Sequence, residues 1–555
     1  MRRTREPKSV ADSIGDAISL LALLGRPLQD PRPSEIVDKA GTDEDPDEKY
    51  FSSIAEDDEE NVDLEDLEYF EDEAATGNPS TPKEKRIVAI KKILLDRLAE
   101  ILARFKSSPK TKNHHLDAKH VCATMLREHK GAQCLQILCA KNEGLDAVDK
   151  QFLNDWTELM AAIAGKEKAT DEQRSSLLDM LVQHQWPRIV YYLEQIADTF
   201  RKQQHDRSGP WNGVLQPLTA ASLKQLPCPM DARKWEDNLG LQYMILKDVL
   251  QDDEHDCIAV ESQATIVNTR IEALDTHLRK ICDEESAHDY DVPNVENLVI
   301  AAFGLWRTVQ TRTSFKASIA RMFPASKARS VAERALLFLC RIKYAQEVFI
   351  EAAESIPAFR KINIVPIPWE RDASRNLDRR TVAPTQVLER LEIPVETHWT
   401  EMLQSPKAQA RYSYLRAGPR HMHAEMQMAQ HVDCIEASGA EGAGELYPYV
   451  GCSKLCCYLC CCFLLAYRRF GFRGTHMGLT NMWLAPVVDV QTYPDLHLAS
   501  ERLLTYLKMA LRTTLSQSST MSPGAMRAQS TLGLSTAKLA LQDLEPMEEP
   551  RDGLR

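Results

Sequence analysis

From Lys83 to about Ala353 the apolar residues recur at three- and four-residue steps. Ile87, Ile90, Ile93, Leu94, Leu98, Ile101, Leu102 and Phe105 set the pattern, which gives a helix one apolar face. Similar stretches run from Leu177 to Phe200, from Leu239 to Leu250 and from Ala332 to Ala353. Between Ser208 and Pro229 four prolines and two glycines interrupt the pattern and predict a loop between helical halves. The pattern changes after Pro357. Lys361-Ile-Asn-Ile-Val-Pro-Ile-Pro-Trp369 is β-branched and punctuated by proline, as expected of an extended or edge segment.

These changes predict a short amphipathic segment over 1–30, an acidic disordered segment over 31–82 and a helical module over 83–356. A second domain is expected over 357–512, with its motifs between 411 and 486, followed by a disordered tail over 513–555 rich in Ser, Thr, Pro, Gly, Met and Gln. The expected fold class is therefore an α-helical N-terminal module followed by an α/β domain. The helical module itself names no chemistry.

Charge changes this picture only locally. The net charge of the 555 residues is −13, and Asp43–Glu73 holds 17 acidic residues against the single Lys49. The rest is close to neutral, so no general basic field advertises a nucleic acid. The acidic stretch reads as a solvated linker, or as a tether for a basic protein partner or for the protein's own basic surface. The longest apolar run, Leu455–Tyr467, has 13 residues, which suits a buried helix and is too short to span a membrane. Near the N-terminus Asp12 and Asp16 interrupt the approach to the apolar stretch Ile18–Leu24, against a secretory signal or a transit peptide. An intracellular protein, cytoplasmic or nuclear, is expected. Its 14 cysteines then read as thiols or metal ligands rather than as a disulfide framework.

Six of those cysteines fall between Cys452 and Cys462, downstream of His421-Met-His-Ala-Glu-Met-Gln-Met-Ala-Gln-His431. Within the two pieces sit His423-Ala424-Glu425 and Cys457-Tyr458-Leu459-Cys460. His-x-Glu followed by Cys-x-x-Cys is the signature of zinc deaminases, and the chain resembles the cytidine/nucleotide deaminase-like superfamily. More closely it resembles the OTT-type deaminase-like domain, a family common in fungal proteins. The resemblance extends to Gly451-Cys-Ser453-Lys454 and Gly474-Thr475-His476. It covers roughly residues 411–486 and departs from the wider pattern at Cys456, where a proline is expected.

The resemblance implies an α/β/α layered domain with Zn²⁺ held by His423, Cys457 and Cys460, and with Glu425 as proton shuttle. Lys454 and His476 would lie near the pocket. The implied reaction is hydrolytic deamination of a nucleobase, free or in single-stranded nucleic acid. The chemistry is coherent. One imidazole and two thiolates leave one tetrahedral position open, and cysteines three apart lie about 60° apart on a helix. His423 and Glu425 lie about 200° apart on an ideal helix, so both can face one site only from a helix end. That places them at the start of a helix over 423–434, with a short strand over 446–450 before the cysteine helix.

Other assignments compete. Cys456 with Cys460, or Cys457 with Cys461, could also chelate. Cys452 could substitute for a ligand, and His421 could replace His423. The cysteines could instead be buried as small hydrophobes in an all-helical scaffold, or the zinc module could be catalytically silent and serve protein interactions through the helical half and the acidic segment. Downstream, Arg468, Arg469 and Arg473 alternate with Tyr467, Phe470 and Phe472. They could hold phosphates and stack bases, or serve as helix-end cations and core aromatics.

Overall fold

The computed structural model describes residues 10–24, 82–106, 120–129, 133–206, 260–282, 290–368, 382–417, 420–437, 444–486 and 491–516, with short breaks at 167, 310–311, 321, 324, 476–477 and 481–482. The acidic segment, the Pro-rich loop expected at 208–229, the helix expected at 239–250 and all but the start of the tail lie outside the described residues.

The helices, in chain order, begin with α1 (Val10–Leu24), α2 (Pro82–Leu102), α3 (Ala147–Ala164), α4 (Asp171–His184) and α5 (Trp186–Asp206). They continue with α6 (Val260–Cys282), α7 (Val292–Val309), α8 (Arg312–Ile319) and α9 (Ser326–Ser355). After residue 357 come α10 (Pro384–Arg390), α11 (Thr397–Gln404), α12 (Pro406–Ala417), α13 (Ala424–Ala437), α14 (Tyr458–Tyr467) and α15 (Pro494–Ser516). Local sequence explains several boundaries. Asp146 and Thr170 each form a reciprocal capping box, with Asp149 and Gln173 respectively, at the starts of α3 and α4. Each box satisfies backbone N–H groups that a helix start leaves unpaired.

One mixed sheet organises the molecule. β1 (Cys122–His129) and β2 (Cys134–Lys141) form an antiparallel hairpin in which Cys122 faces Lys141 and His129 faces Cys134. β3 (Ile362–Pro366) adds parallel to β2 at the sheet edge, where a proline is tolerated. On the other side β1 pairs with β4 (Glu445–Leu446) and β5 (Tyr449–Cys452), and β6 (Gly471–Phe472) runs parallel to β5.

The hairpin corrects the all-helical expectation for 83–353. Elements from both sides of residue 357 share this sheet. The periodicity fails at 122–141 because both faces of the hairpin are covered. Cys122, Leu126, Leu135, Ile137 and Cys139 enter one core with α2, α3 and α9. Ala123, Met125, Leu138 and Ala140 enter a second core with α1, α13, α14 and α15. A strand buried on both faces loses the apolar–polar alternation that identifies it.

Two other differences are smaller. The strand expected over 446–450 is split into β4 and β5 at Tyr447-Pro448. α15 runs to Ser516, beyond the expected tail start, with Leu515 buried and its carbonyl accepting a hydrogen bond from Trp399 Nε1 at 2.8 Å. The N-terminal segment is a docked part of the second core. Asp16 of α1 is buried and pairs with Arg416 at 2.8 Å and Arg390 at 3.2 Å. Among the described residues, no helix is long and apolar enough to cross a membrane.

Candidate active site

The site forms where the starts of α13 and α14 meet beside β5. His423 immediately precedes α13, and its carbonyl accepts hydrogen bonds from the Met426 and Gln427 amides. Glu425 lies in the first turn. Asn142, just after β2, fixes this start from across the sheet: its Oδ1 accepts from the Ala424 amide at 2.7 Å. Gln427 reinforces the turn, with Nε2 donating to the Met422 carbonyl at 2.9 Å.

On the other side, β5 delivers the cysteine segment. Gly451 is required there, because a Cβ would stand 2.4 Å from the Leu95 carbonyl carbon of α2. Ser453 is tied to the start of β1: its amide donates to the Cys122 carbonyl at 3.0 Å, and its Oγ accepts from the Cys122 amide at 2.9 Å. Cys457 is the N-cap of α14, its Sγ accepting from the Cys460 amide at 3.4 Å. Cys456 stands where the wider pattern has proline, and its amide donates to the Gly474 carbonyl at 2.9 Å. Proline could not make that bond. Thr475 Oγ1 completes the clamp by donating to the Cys456 carbonyl at 2.8 Å.

His423 Nδ1 lies 3.6 Å from Cys457 Sγ and 3.4 Å from Cys460 Sγ. The ligand atoms of these three residues lie within 4.8 Å of one another, a group that could hold a metal ion. Glu425 Oε2 lies 3.7 Å from Cys460 Sγ. Both cysteines and Glu425 are buried, while His423 is half-buried. The expected ligands and the expected acid therefore converge. Of the competing thiols, Cys452 and Cys456, 3.7 Å apart at sulfur, group with Glu425 instead of His423, and Cys461 is in neither candidate group among the described residues. His421 serves through its backbone: it bridges to Trp483, and its carbonyl accepts from the Leu484 amide at 2.9 Å.

The environment separates the two candidate thiols. Burial opposes ionisation of Cys457, but hydrogen bonding from Cys460 and the neighbouring His423 outweigh it and hold Cys457 well below the ordinary thiol range. Its place at a helix N-terminus acts in the same direction. Burial, together with Cys457 and Glu425, pushes Cys460 upward. Trp483 counters this by donating Nε1–H to Cys460 Sγ at 3.2 Å. Burial, opposed by His423 and helped by Cys457, also raises the Glu425 carboxyl above its ordinary range.

The remaining candidates are dispersed. Lys454 is half-buried at the end of the cysteine strand. His476 lies outside the described residues. Arg468 is exposed in the left-handed C-cap of α14, with φ 59°. Arg469 is bound within the domain, at 2.7 Å from Asp433 and 2.6 Å from Glu436. Arg473 is buried, as are Tyr467, Phe470 and Phe472. The three arginines do not share one surface, and the interleaved aromatics belong to the core. Sequence reasoning missed Asn142 and Trp483. Each reaches the site by folding, and neither stands at a motif spacing.

Comparison with known families agrees with this geometry. The family model OTT_1508_deam, a deaminase-like family, matches residues 422–487. No curated protein and no solved structure matches the chain. The match begins one residue before His423 and takes in Glu425, Cys457, Cys460 and Trp483. Residues 422–487 of this chain form a deaminase-like domain.

Proposed function

We propose that this domain binds zinc through His423, Cys457 and Cys460 and catalyses hydrolytic deamination of a nucleobase. The observation that carries the reading is the convergence of one imidazole nitrogen, two thiol sulfurs and a buried carboxyl at a pair of helix starts. The donor set fits zinc: two sulfurs and one nitrogen suit this borderline-soft ion, and three protein ligands match catalytic rather than closed structural sites. When bound, the ion supplies the Lewis acidity that brings the pKa of water towards neutrality.

The chain's own residues account for the proton movements. Glu425 accepts a proton from the attacking water and passes it to the ring nitrogen of the base. It then assists departure of the exocyclic amine as ammonia, leaving a carbonyl in its place. Burial of Glu425 supports this role, because a carboxyl with a raised pKa both takes and returns protons readily. Asn142 and Gln427 keep the carboxyl aimed by fixing the first turn of α13.

A second reading, a silent zinc module within a helical interaction scaffold, is favoured by the closure of the site. Glu425 is 2% exposed and Cys460 0%, and His423 is the half-buried member of the group. The deciding experiment is ammonia release by the full-length, zinc-loaded chain. Cytosine and adenine substrates are offered as free bases, nucleosides, single-stranded DNA and single-stranded RNA, with Glu425→Gln as the control. Release by wild type and none by Glu425→Gln supports the enzyme. No release from any substrate at full zinc occupancy selects the silent module.

A further inference from the structure

A second polar cluster is buried where α2 meets α9 and the segment following β6. Glu100 bridges two guanidinium groups: Oε2 lies 2.5 Å from Arg97 Nη1, and Oε1 lies 2.9 Å from Arg341 Nη1. Asp96 commits both oxygens to β5, accepting from the Tyr449 hydroxyl at 2.8 Å and from the Cys452 amide at 3.0 Å. Arg473 stands within electrostatic reach of both carboxylates. Yet its Nε and Nη2 have no hydrogen-bond partner among the described residues.

The same is true of Nε of Arg97, Nε of Arg341 and the Tyr344 hydroxyl. Tyr344 lies within electrostatic reach of Arg97 and Arg473. The exposures are 1% for Arg97, 8% for Arg341, 6% for Arg473 and 6% for Tyr344, so bulk water does not serve these groups. A further buried guanidinium, Arg188, also acts on Glu100, and its Nη1 donates to the Ala103 carbonyl at 3.0 Å. Among the described residues of this interior, cations therefore outnumber carboxylates.

The chemistry of the unmatched atoms selects a ligand class. Apart from Glu100 Oε1, which already faces Arg341, the unmatched atoms named here are guanidinium N–H donors and one hydroxyl that can donate. A water molecule brings as many donors as acceptors and leaves the charge unchanged. An oxyanion brings acceptors only and offsets the excess of guanidinium charge. Burying such charge without a partner is strongly unfavourable, whereas arginine binds phosphate through charge-assisted pairs.

We propose that this cluster binds a phosphate-type oxyanion, with Arg473 as the principal donor and Arg97 and Tyr344 beside it. The anion would join the deaminase-like domain, which supplies Arg473, to helices α2 and α9. It takes no part in the chemistry at Glu425, and the proposal stands whether or not the domain is an enzyme.

The test uses the full-length protein dialysed into chloride buffer. Its phosphorus content and native mass are measured, and its thermal unfolding is compared in chloride, sulfate and inorganic phosphate at equal ionic strength. Either of two results supports the site. One is a retained phosphorus-containing adduct, whose mass tells inorganic phosphate from an organic phosphate ester. The other is a melting temperature higher in phosphate by at least about 3 °C. Sulfate and phosphate also stabilise proteins through exclusion from their surfaces, so the response is read as the difference between wild type and Arg473→Met. Tyr344→Phe deletes one donor and is expected to reduce the response without abolishing it. A phosphorus-free protein whose melting exceeds its chloride value no more than Arg473→Met does overturns the proposal. Should Arg473→Met fail to fold, an equal phosphate response in wild type and Tyr344→Phe, with no retained phosphorus, overturns it instead.

Discussion

Asn142 and Ala424 lie 282 residues apart, and the Asn142 side-chain oxygen accepts the Ala424 amide hydrogen at 2.7 Å. That bond caps the start of the helix carrying Glu425, and it is supplied by the residue that follows β2 instead of by the residue preceding the helix. Capping bonds of this kind contribute about 1 kcal/mol. Asn142→Ala is therefore expected to lower stability by about 1–2 kcal/mol in chemical denaturation. Asn142→Asp keeps the acceptor and is expected to recover most of that loss. Equal destabilisation by both variants would show that the contact contributes packing alone.

Loss of a proposed metal ligand should be more severe. His423→Ala or Cys457→Ser leaves two protein ligands of three, which is too few to retain zinc against a chelator. Zinc content is expected to fall from about one per chain to near zero, with a lower melting temperature because metal binding adds to folding free energy. Cys461→Ser is the informative comparison. Its sulfur is in neither of the two candidate metal groups among the described residues, so zinc content should be unchanged.

Glu425→Gln separates binding from chemistry. The amide keeps the side-chain shape but cannot take up a proton. Zinc should stay, while turnover of whichever aminated base is the substrate falls by about 10²–10⁴-fold, as for a lost general acid–base. Full activity in this variant would remove Glu425 from the mechanism.

The parts of the site readable from the sequence are those whose spacing is local. His423 with Glu425, and Cys457 with Cys460, announce themselves because one helix start holds each pair. Even the offset of about 200° between His423 and Glu425 correctly placed them at the start of α13. The hairpin 122–141 was not readable. Ala123 and Met125 serve one core while Cys122 and Leu126 serve the other, so burial erases the period of two. Asn142, Trp483 and Asp96 were equally hidden. Their roles depend on partners brought close by the sheet, and their sequence neighbourhoods carry no matching pattern. The arginine–aromatic stripe at 467–473 misled for the converse reason: a regular alternation on paper is divided in space among an exposed cap, an ion pair and a buried cluster.

Acid stability offers a test away from the metal. His184 stacks on Phe152 with ring centroids 4.0 Å apart. Burial, and then Arg104 and Lys141, push its pKa down to about 3. The unfolded chain takes up this proton near its ordinary pKa of 6.5 and the folded chain does not. Stability is thus unaffected above 6.5, declines as the pH falls below it, and stops declining on this account near 3. The slope within that window is at most about 1.4 kcal/mol per pH unit for one proton. His184→Gln should flatten the acid limb of a stability–pH curve by up to that amount. An unchanged limb would show that His184 protonates in the folded state.

Trp483 provides the most selective probe of the metal reading. Its indole N–H donates to Cys460 Sγ at 3.2 Å, and the ring is fully buried against Phe463, with centroids 6.4 Å apart. Cys460 is the thiol that burial, Cys457 and Glu425 hold in its protonated form, and Trp483 is the group acting against them. Removing the N–H while keeping an aromatic ring should therefore make the thiolate harder to form. Trp483→Phe is expected to weaken zinc binding by roughly 10–100-fold, as for other losses of a partner to a metal ligand. The loss should grow as the pH is lowered, because ligand deprotonation accompanies metal binding. Chelator competition at two pH values measures both effects. If the indole only fills space, the smaller ring lowers stability while zinc affinity and its pH dependence stay as in wild type. That outcome would remove Cys460 from the ligand set or Trp483 from its support, and Cys460→Ser, measured alongside, tells which.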